Sequence, residues 1–220
     1  MKKICILTAG IVLIASNVFA APQTDIAQGK TAIDIGAFNA KDSMTLMGND
    51  IDFGNKTNIN FGVTTGISDK YAVQYKYNSL DSGHYTNAVV DTSMKIKTQE
   101  FNVLYKLTKN TDAFIGVHKF SGTLYNHNVN MAADFDNKNK MQIGVTTTVP
   151  LGEKLNAWGT LSAGDNLISG ELGVSHPLNK NTDLNLYYRY TKEKDLTLNG
   201  VPYNYDIENN GFGLGVTMKF

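Results

Sequence analysis

The chain has 220 residues, with 20 Lys and Arg against 20 Asp and Glu, and a single cysteine. Balanced charge without a basic cluster leaves no electrostatic footprint for nucleic acid, and no run of 18 apolar residues offers a helical membrane span. One cysteine, Cys5, excludes a disulfide framework.

The first residues read as a secretory leader. Lys2 and Lys3 precede an apolar run from Ile4 to Ala15, followed by Ser16-Asn17-Val18-Phe19-Ala20. A basic start, a short apolar stretch and small residues at −3 and −1 define a signal peptide. Val18 and Ala20 take those positions, so residues 1–20 are expected to be cleaved and residues 21–220 to form one domain. The apolar run is shorter than the ~20 residues a helical anchor needs. Cleavage removes Cys5 and both lysines, leaving a slightly acidic chain without thiol chemistry.

From residue 30 onward the chain alternates with period two. The clearest segment is 57–67, where Ile59, Phe61, Val63, Thr65 and Ile67 share one face and Asn58, Asn60, Gly62, Thr64 and Gly66 the other. Strands of soluble sandwiches run about five or six residues, whereas a transmembrane strand needs ~9–11. Tyr71, Val73, Tyr75 and Tyr77 repeat the pattern, as do Phe101, Val103, Tyr105 and Leu107. It returns at Met141, Ile143, Val145 and Val149, at Leu184, Leu186, Tyr188 and Tyr190, and finally at Phe212, Leu214, Val216, Met218 and Phe220. With weaker segments included, ten strands are predicted, at 30–39, 57–67, 71–79, 95–107, 113–125, 140–150, 155–164, 168–176, 184–193 and 208–220. Phase slips near Thr98 and Lys119 require bulges or strand ends there.

An apolar outside with a polar, glycine-rich inside is the reverse of a soluble barrel. The pattern predicts an all-β fold: a closed antiparallel up-and-down transmembrane β-barrel of about ten strands, with eight as the fallback. Short turns are expected at Ser68-Asp69-Lys70, Thr108 to Asp112, Pro150 to Lys154 and Pro177 to Asp183. Longer loops are expected at 40–56, 80–94, 126–139 and 194–207, with a tight exception at Asp165-Asn166. That asymmetry, with an even strand number, puts short turns and both termini in the periplasm and the long loops outside.

Three stretches resemble the porin-like outer membrane β-barrel domain family, which includes the small OmpA- and OmpX-type barrels. They are the hairpin Phe61 to Tyr77, the strand Leu186-Tyr187-Tyr188-Arg189-Tyr190, and the ending Gly213 to Phe220. The ending is similar to the C-terminal signal read by the barrel-assembly machinery, carried here by Gly215, Met218 and Phe220. The resemblance implies periplasmic chaperones and that machinery as partners during biogenesis, and outer-membrane lipid thereafter. Two departures stand out: the best-known small members have eight strands, and nothing after the barrel resembles a peptidoglycan-binding domain.

The lumen-facing candidates are Asp34, Lys76, Lys106, His118, Glu171, Arg189 and Lys219. They could form a charged constriction for small solutes or a paired plug that replaces a core. The plug is preferred, because small barrels are just wide enough for side chains to fill. Arg189, the only arginine, is expected to pair with Glu171 on the neighbouring strand at similar height. The histidines look scattered: His84 in a loop, His118 mid-strand, His127 at a strand end, His176 beside a turn. No His-x-Ser or Asp-x-His pair shares a strand face, so no catalytic residues are expected. Asp50-x-Asp52-x-Gly54 and Asp134-x-Asp136 read as turn formers without a full calcium loop, and neither metal nor cofactor is expected. Tyr71, Tyr75, Tyr77, Tyr105, Tyr188, Tyr190 and Phe220 suit interfacial girdles, while Trp158 has lumen parity. The expected function is a structural or surface-interaction barrel with a filled polar lumen. A narrow channel for ions or small solutes is the alternative, followed by an outer-membrane enzyme and a soluble secreted β-sandwich.

Overall fold

The computed structural model describes residues 27–86, 90–152 and 154–220; the leader expected at residues 1–20 lies outside the described residues. The alternating segments form long antiparallel strands: β1 (Thr31–Leu46), β2 (Asn49–Gly66), β3 (Tyr71–Thr86), β4 (Asp91–Thr108) and β5 (Thr111–Asn126). They continue through the short β6 (Met131–Asp134), then β7 (Lys138–Pro150), β8 (Asn156–Gly164), β9 (Leu167–Asn179), β10 (Thr182–Thr197) and β11 (Asn204–Lys219). Strands β6 and β7 run along the same edge of β5, to residues 123–126 and 111–120 respectively, and so occupy one place in the wall. Strand β11 returns to β1, in register from Ala32↔Lys219 to Leu46↔Tyr205, and the ten-stranded barrel is closed. The seam is sealed where Thr31 N donates to Phe220 O (3.0 Å) and Phe220 N donates to Thr31 O (2.8 Å). That end is the terminal end below, and the opposite one the distal end.

Near the terminal end the outer face is apolar, with Ile59, Phe61, Phe101, Val103, Ile115, Ile143, Leu172, Leu186, Phe212 and Leu214 all exposed. Cross-strand aromatic pairs brace this belt: Tyr71 with Tyr105 (5.1 Å between centroids), Tyr75 with Phe101 (4.8 Å) and Tyr188 with Phe212 (5.1 Å). A side chain facing hydrocarbon gains nothing by being polar, whereas the closed sheet satisfies the backbone internally.

Toward the distal end both faces exchange character while the alternation continues. On β1 the inward series passes from Asp34 and Gly36 to Phe38, Ala40 and Met44. Phe53, Leu80, Met94, Ile96, Phe120, Leu196, Tyr205 and Ile207 join them in one buried cluster, together with Phe135 and Leu198. The outer face becomes charged: Lys41 pairs with Asp52 at 2.7 Å, Lys95 with Asp81 at 3.6 Å, and Lys192 with Glu208 at 3.6 Å. Asp42 points inward between Ala40 and Met44, accepting a bond from Asn209 Nδ2 at 2.5 Å. Burial pushes its pKa up to about 6.

This exchange corrects the expected loops. Segments 40–56 and 80–94 are largely strand, and β1 turns into β2 through only Met47 and Gly48, both at positive φ (50° and 80°), the signature of a two-residue type I′ turn. Segment 126–139 contains β6, and 194–207 is shared between β10 and β11. The slips expected near Thr98 and Lys119 are absent. The β3–β4 register is continuous from Tyr71↔Tyr105 to Asp81↔Lys95, and that of β4–β5 from Lys106↔Asp112 to Thr92↔Asn126. What changes there is which face is apolar.

The wall also narrows. The β8–β9 hairpin stops at Asp165-Asn166, and above it β10 reaches across to the segment between β6 and β7. Asp136 N donates to Thr197 O (2.8 Å), Asn199 N donates to Asp134 O (2.9 Å), and Phe135 bridges Leu198. The distal wall therefore consists of β1 to β6, β10 and β11. The β2–β3 ladder ends at Ile59↔Ser79; beyond it Asn58 holds the Asp81 backbone, its Oδ1 accepting from Asp81 N (2.7 Å) and its Nδ2 donating to Asp81 O (3.2 Å), and farther on the strands pack so closely that a Cβ on Gly83 would lie 2.2 Å from Phe53 O.

Lysine substitution tests the two regimes. Val63→Lys, in the belt, is expected to cost about 2–4 kcal/mol of barrel stability. Ser43→Lys, on the distal part of β1 between Asp52 and Glu208, is expected to be neutral. Urea titration of the barrel refolded into lipid vesicles distinguishes them, and equal costs would contradict the exchange of faces.

Candidate functional site

The lumen of the belt region holds its charges in layers, each built by inward residues of neighbouring strands. At the terminal end Lys219 Nζ lies 2.7 Å from Asp183 Oδ2. Thr217 Oγ1 donates to Asp34 Oδ1 (2.5 Å) and accepts from Asn185 Nδ2 (2.8 Å). Lys106 stands at the same rim, cross-strand from Asp112.

The middle layer is centred on Arg189. Its register partner on β9 is Glu171, and Nε meets Oε1 at 2.5 Å, as the sequence predicts. Its Nη1 donates to Asn78 Oδ1 at 2.7 Å. The guanidinium carbon sits 5.1 Å from the Phe38 ring centroid and 5.5 Å from that of Tyr187, within cation–π range. Lys76 Nζ approaches the other Glu171 oxygen at 3.9 Å. Tyr187 packs on Trp158 (6.0 Å) and its hydroxyl accepts from Asn60 Nδ2 (2.5 Å); Trp158 thus fills the interior, as its parity suggests.

An amide relay crosses the same level. Gln74 Nε2 donates to Thr64 Oγ1 (3.0 Å), Asn102 Nδ2 to Gln74 Oε1 (3.1 Å), and Gln142 Nε2 to Asn102 Oδ1 (2.9 Å). The last bond passes from β7 to β4 over β5, and glycine permits it: a Cβ on Gly116 would lie 2.0 Å from Asn102 Oδ1. Above the relay, His118 Nε2 meets Glu193 Oε1 at 3.0 Å, and Lys140 Nζ meets Glu193 Oε2 at 3.5 Å. The apolar cluster then closes the lumen from the distal side.

The seven charged residues expected in the lumen thus lie on its wall: Lys106 and Lys219 stand at its terminal end, and Asp34 lines one cavity with Lys76, Glu171 and Arg189. Glu100, Asp112, Lys140, Asp183 and Glu193 also line the lumen: Glu100 shares inward parity with Lys106, Asp112 with His118, and Asp183 and Glu193 with Arg189, while Lys140 stands cross-strand from His118. Glu100 was hidden by the supposed slip at Thr98. Asp52 and Asp134 act as local acceptors, from Gly54 N at 2.8 Å and Thr123 Oγ1 at 2.6 Å, and Asp136 accepts from Thr197 Oγ1. The histidines are less scattered than their spacing suggests. At the distal rim the rings of His84 and His127 stack at 4.7 Å, and His84 Nδ1 lies 2.9 Å from Asp91 Oδ1.

A closed sheet with an apolar belt and a charge-paired interior defines a transmembrane β-barrel. The chain belongs to the outer membrane protein β-barrel domain family, whose model matches residues 9–220, and it is an integral protein of the outer membrane. Among curated protein sequences, none matches. Among solved structures, it is similar to the outer membrane protease OmpT of Escherichia coli at 10% identity, over 87% of this chain and 97% of that one (TM-score 0.61). It is also similar to the translocator domain of the autotransporter NalP from Neisseria meningitidis at 8% identity, over 88% and 89% (TM-score 0.53). Ail, the attachment invasion locus protein of Yersinia pestis, aligns at 11% identity over 88% and 99% (TM-score 0.45). Likeness at these identities is likeness of fold.

The Arg189–Glu171 pair yields a test of the lumen. Removing one partner leaves the other charge buried, at a cost of about 3–5 kcal/mol. Arg189→Met and Glu171→Gln are each expected to destabilise by that order, and the double variant by clearly less than their sum. A double-mutant cycle measured by denaturant unfolding checks this; simple additivity would mean that the two groups act independently.

Proposed function

We propose that the protein is a structural and surface-interaction barrel of the outer membrane, non-enzymatic and non-conducting, with its termini in the periplasm and its distal rim facing outward. The observation that carries this reading is the apolar cluster seated on the charged lumen. Phe38, Phe120, Met94, Phe135 and Leu196 fill the narrowed distal wall, where an ion would have to shed its water without a polar replacement. Beneath it the charges are spent on one another. What the distal end offers a partner is a rim of extended strands with charged pairs on its outer face and Met47, Val129 and Met131 exposed at its turns. The proteolysis of OmpT and the translocation of NalP belong to those proteins.

Current recording in planar bilayers tests the reading. Inserted protein is expected to remain silent; stable unitary conductance would replace the plugged barrel by a narrow channel.

Gly215, Met218 and Phe220 serve as the signal for the barrel-assembly machinery, to which periplasmic chaperones deliver the chain. Phe220 supports this role because the residue is 68% exposed while its backbone seals the seam. Deleting Phe220 is expected to leave refolding into lipid vesicles nearly intact and to deplete the protein from the outer membrane of cells. Normal membrane levels of the truncated chain would remove the assembly role.

A further inference from the structure

Register gathers three metal-ligating side chains at the distal rim. Strands β3 and β4 pair His84 with Ser93 and Thr86 with Asp91, and β4 and β5 pair Ser93 with Tyr125. Just beyond β5, His127 N donates to Asp91 O at 2.8 Å. Three neighbouring strand ends therefore place two imidazoles and a carboxylate side by side, although they are spread over more than 40 positions of the chain. One ligand atom from each residue lies within 4.8 Å of the others. His84 Nδ1 and Asp91 Oδ1 are 2.9 Å apart, and the two imidazole planes are inclined by 18°. Ser93 Oγ, 2.8 Å from His127 Nε2, holds the second ring in place.

We propose that His84, Asp91 and His127 form a zinc site with a fourth position open to solvent. Two imidazoles with one carboxylate are a donor set for zinc, whereas calcium and magnesium take oxygen ligands. Bonds of about 2.0–2.2 Å in a tetrahedron put ligand atoms about 3.3 Å apart, and a metal lies in the plane of each imidazole that binds it, so closing onto an ion draws together ligand atoms that now lie within 4.8 Å and turns one of the two rings out of the stack. The fourth position suits water or a donor group arriving from outside the barrel. The ion would pin the tips of three strands together where their ladders end.

The other histidines serve as internal controls. His118 is buried against Glu193 in the lumen, and His176 at the terminal end lies 2.7 Å from Lys154 O. The alternative for the rim trio is a hydrogen-bonded knot that needs no ion.

Isothermal titration of zinc chloride into the untagged barrel, refolded in detergent, separates the two. One saturable site per chain is expected. Loss of an outer-shell partner costs a metal site about 10–100-fold in affinity, so His84→Ala and His127→Ala, which remove ligands, are each expected to weaken binding by at least that much. Asp91→Asn, which keeps the size and removes the charge, is expected to weaken it in the same direction, and His176→Ala to leave it unchanged. Circular dichroism and gel mobility before and after heating establish that each variant is folded. Absence of saturable binding, or affinity unaltered in folded His84→Ala and His127→Ala barrels, would overturn the site and leave the knot.

Discussion

Hydrocarbon offers no partner to a peptide N–H or C=O, and almost every feature of this barrel follows from that. Within the belt each strand must be hydrogen-bonded on both edges, so the sheet has to meet itself, and β1 meets β11 without a break in register. Once closed, alternate side chains have only two destinations, lipid or lumen. Lipid selects residues such as Ile59, Phe61 and Leu214. The lumen, too narrow to leave charges well hydrated, is held by groups that satisfy one another, from Lys219 with Asp183 to His118 with Glu193.

Beyond the belt the same strands enter water, and the solvent now acts on the outer face in the opposite sense. Charged pairs such as Lys41 with Asp52 cover the outside, and the inside must supply the hydrophobic driving force that lipid no longer provides. The short β8–β9 hairpin makes this workable. With β10 bonded directly to the segment around Phe135, the distal wall has the smaller circumference that side chains can fill. The result resembles a soluble β-domain stacked on a membrane one, built from continuous strands.

The sequence was legible where one rule held over a whole span. Segment 57–67 alternates without exception, and it is strand from end to end apart from its last residue. The pairing of Glu171 with Arg189 was also legible, because a short turn makes cross-strand distance a matter of counting. Legibility failed where the rule changed sign. Met44, Phe53 and Met94 look misplaced to a criterion that wants apolar residues outside, so genuine strand was read as loop. The rim trio was beyond reach for another reason. His84, Asp91 and His127 are joined by the register of three strands, two of whose distal portions had not been recognised as strand.

The seam between β1 and β11 has a kinetic meaning. Nearly every other pairing joins strands adjacent in the chain, so hairpins can form from local contacts at small entropic cost. Ala32 and Lys219, in contrast, close a loop that contains almost the whole barrel. Closure entropy grows only logarithmically with length, by about 0.6 kcal/mol for each doubling, so the seam is long-range without being prohibitive. Until it forms, two edges lined with unpaired amides face the bilayer, and partly assembled sheets gain little from each added hairpin. The last contact in sequence separation is therefore the one that makes assembly cooperative.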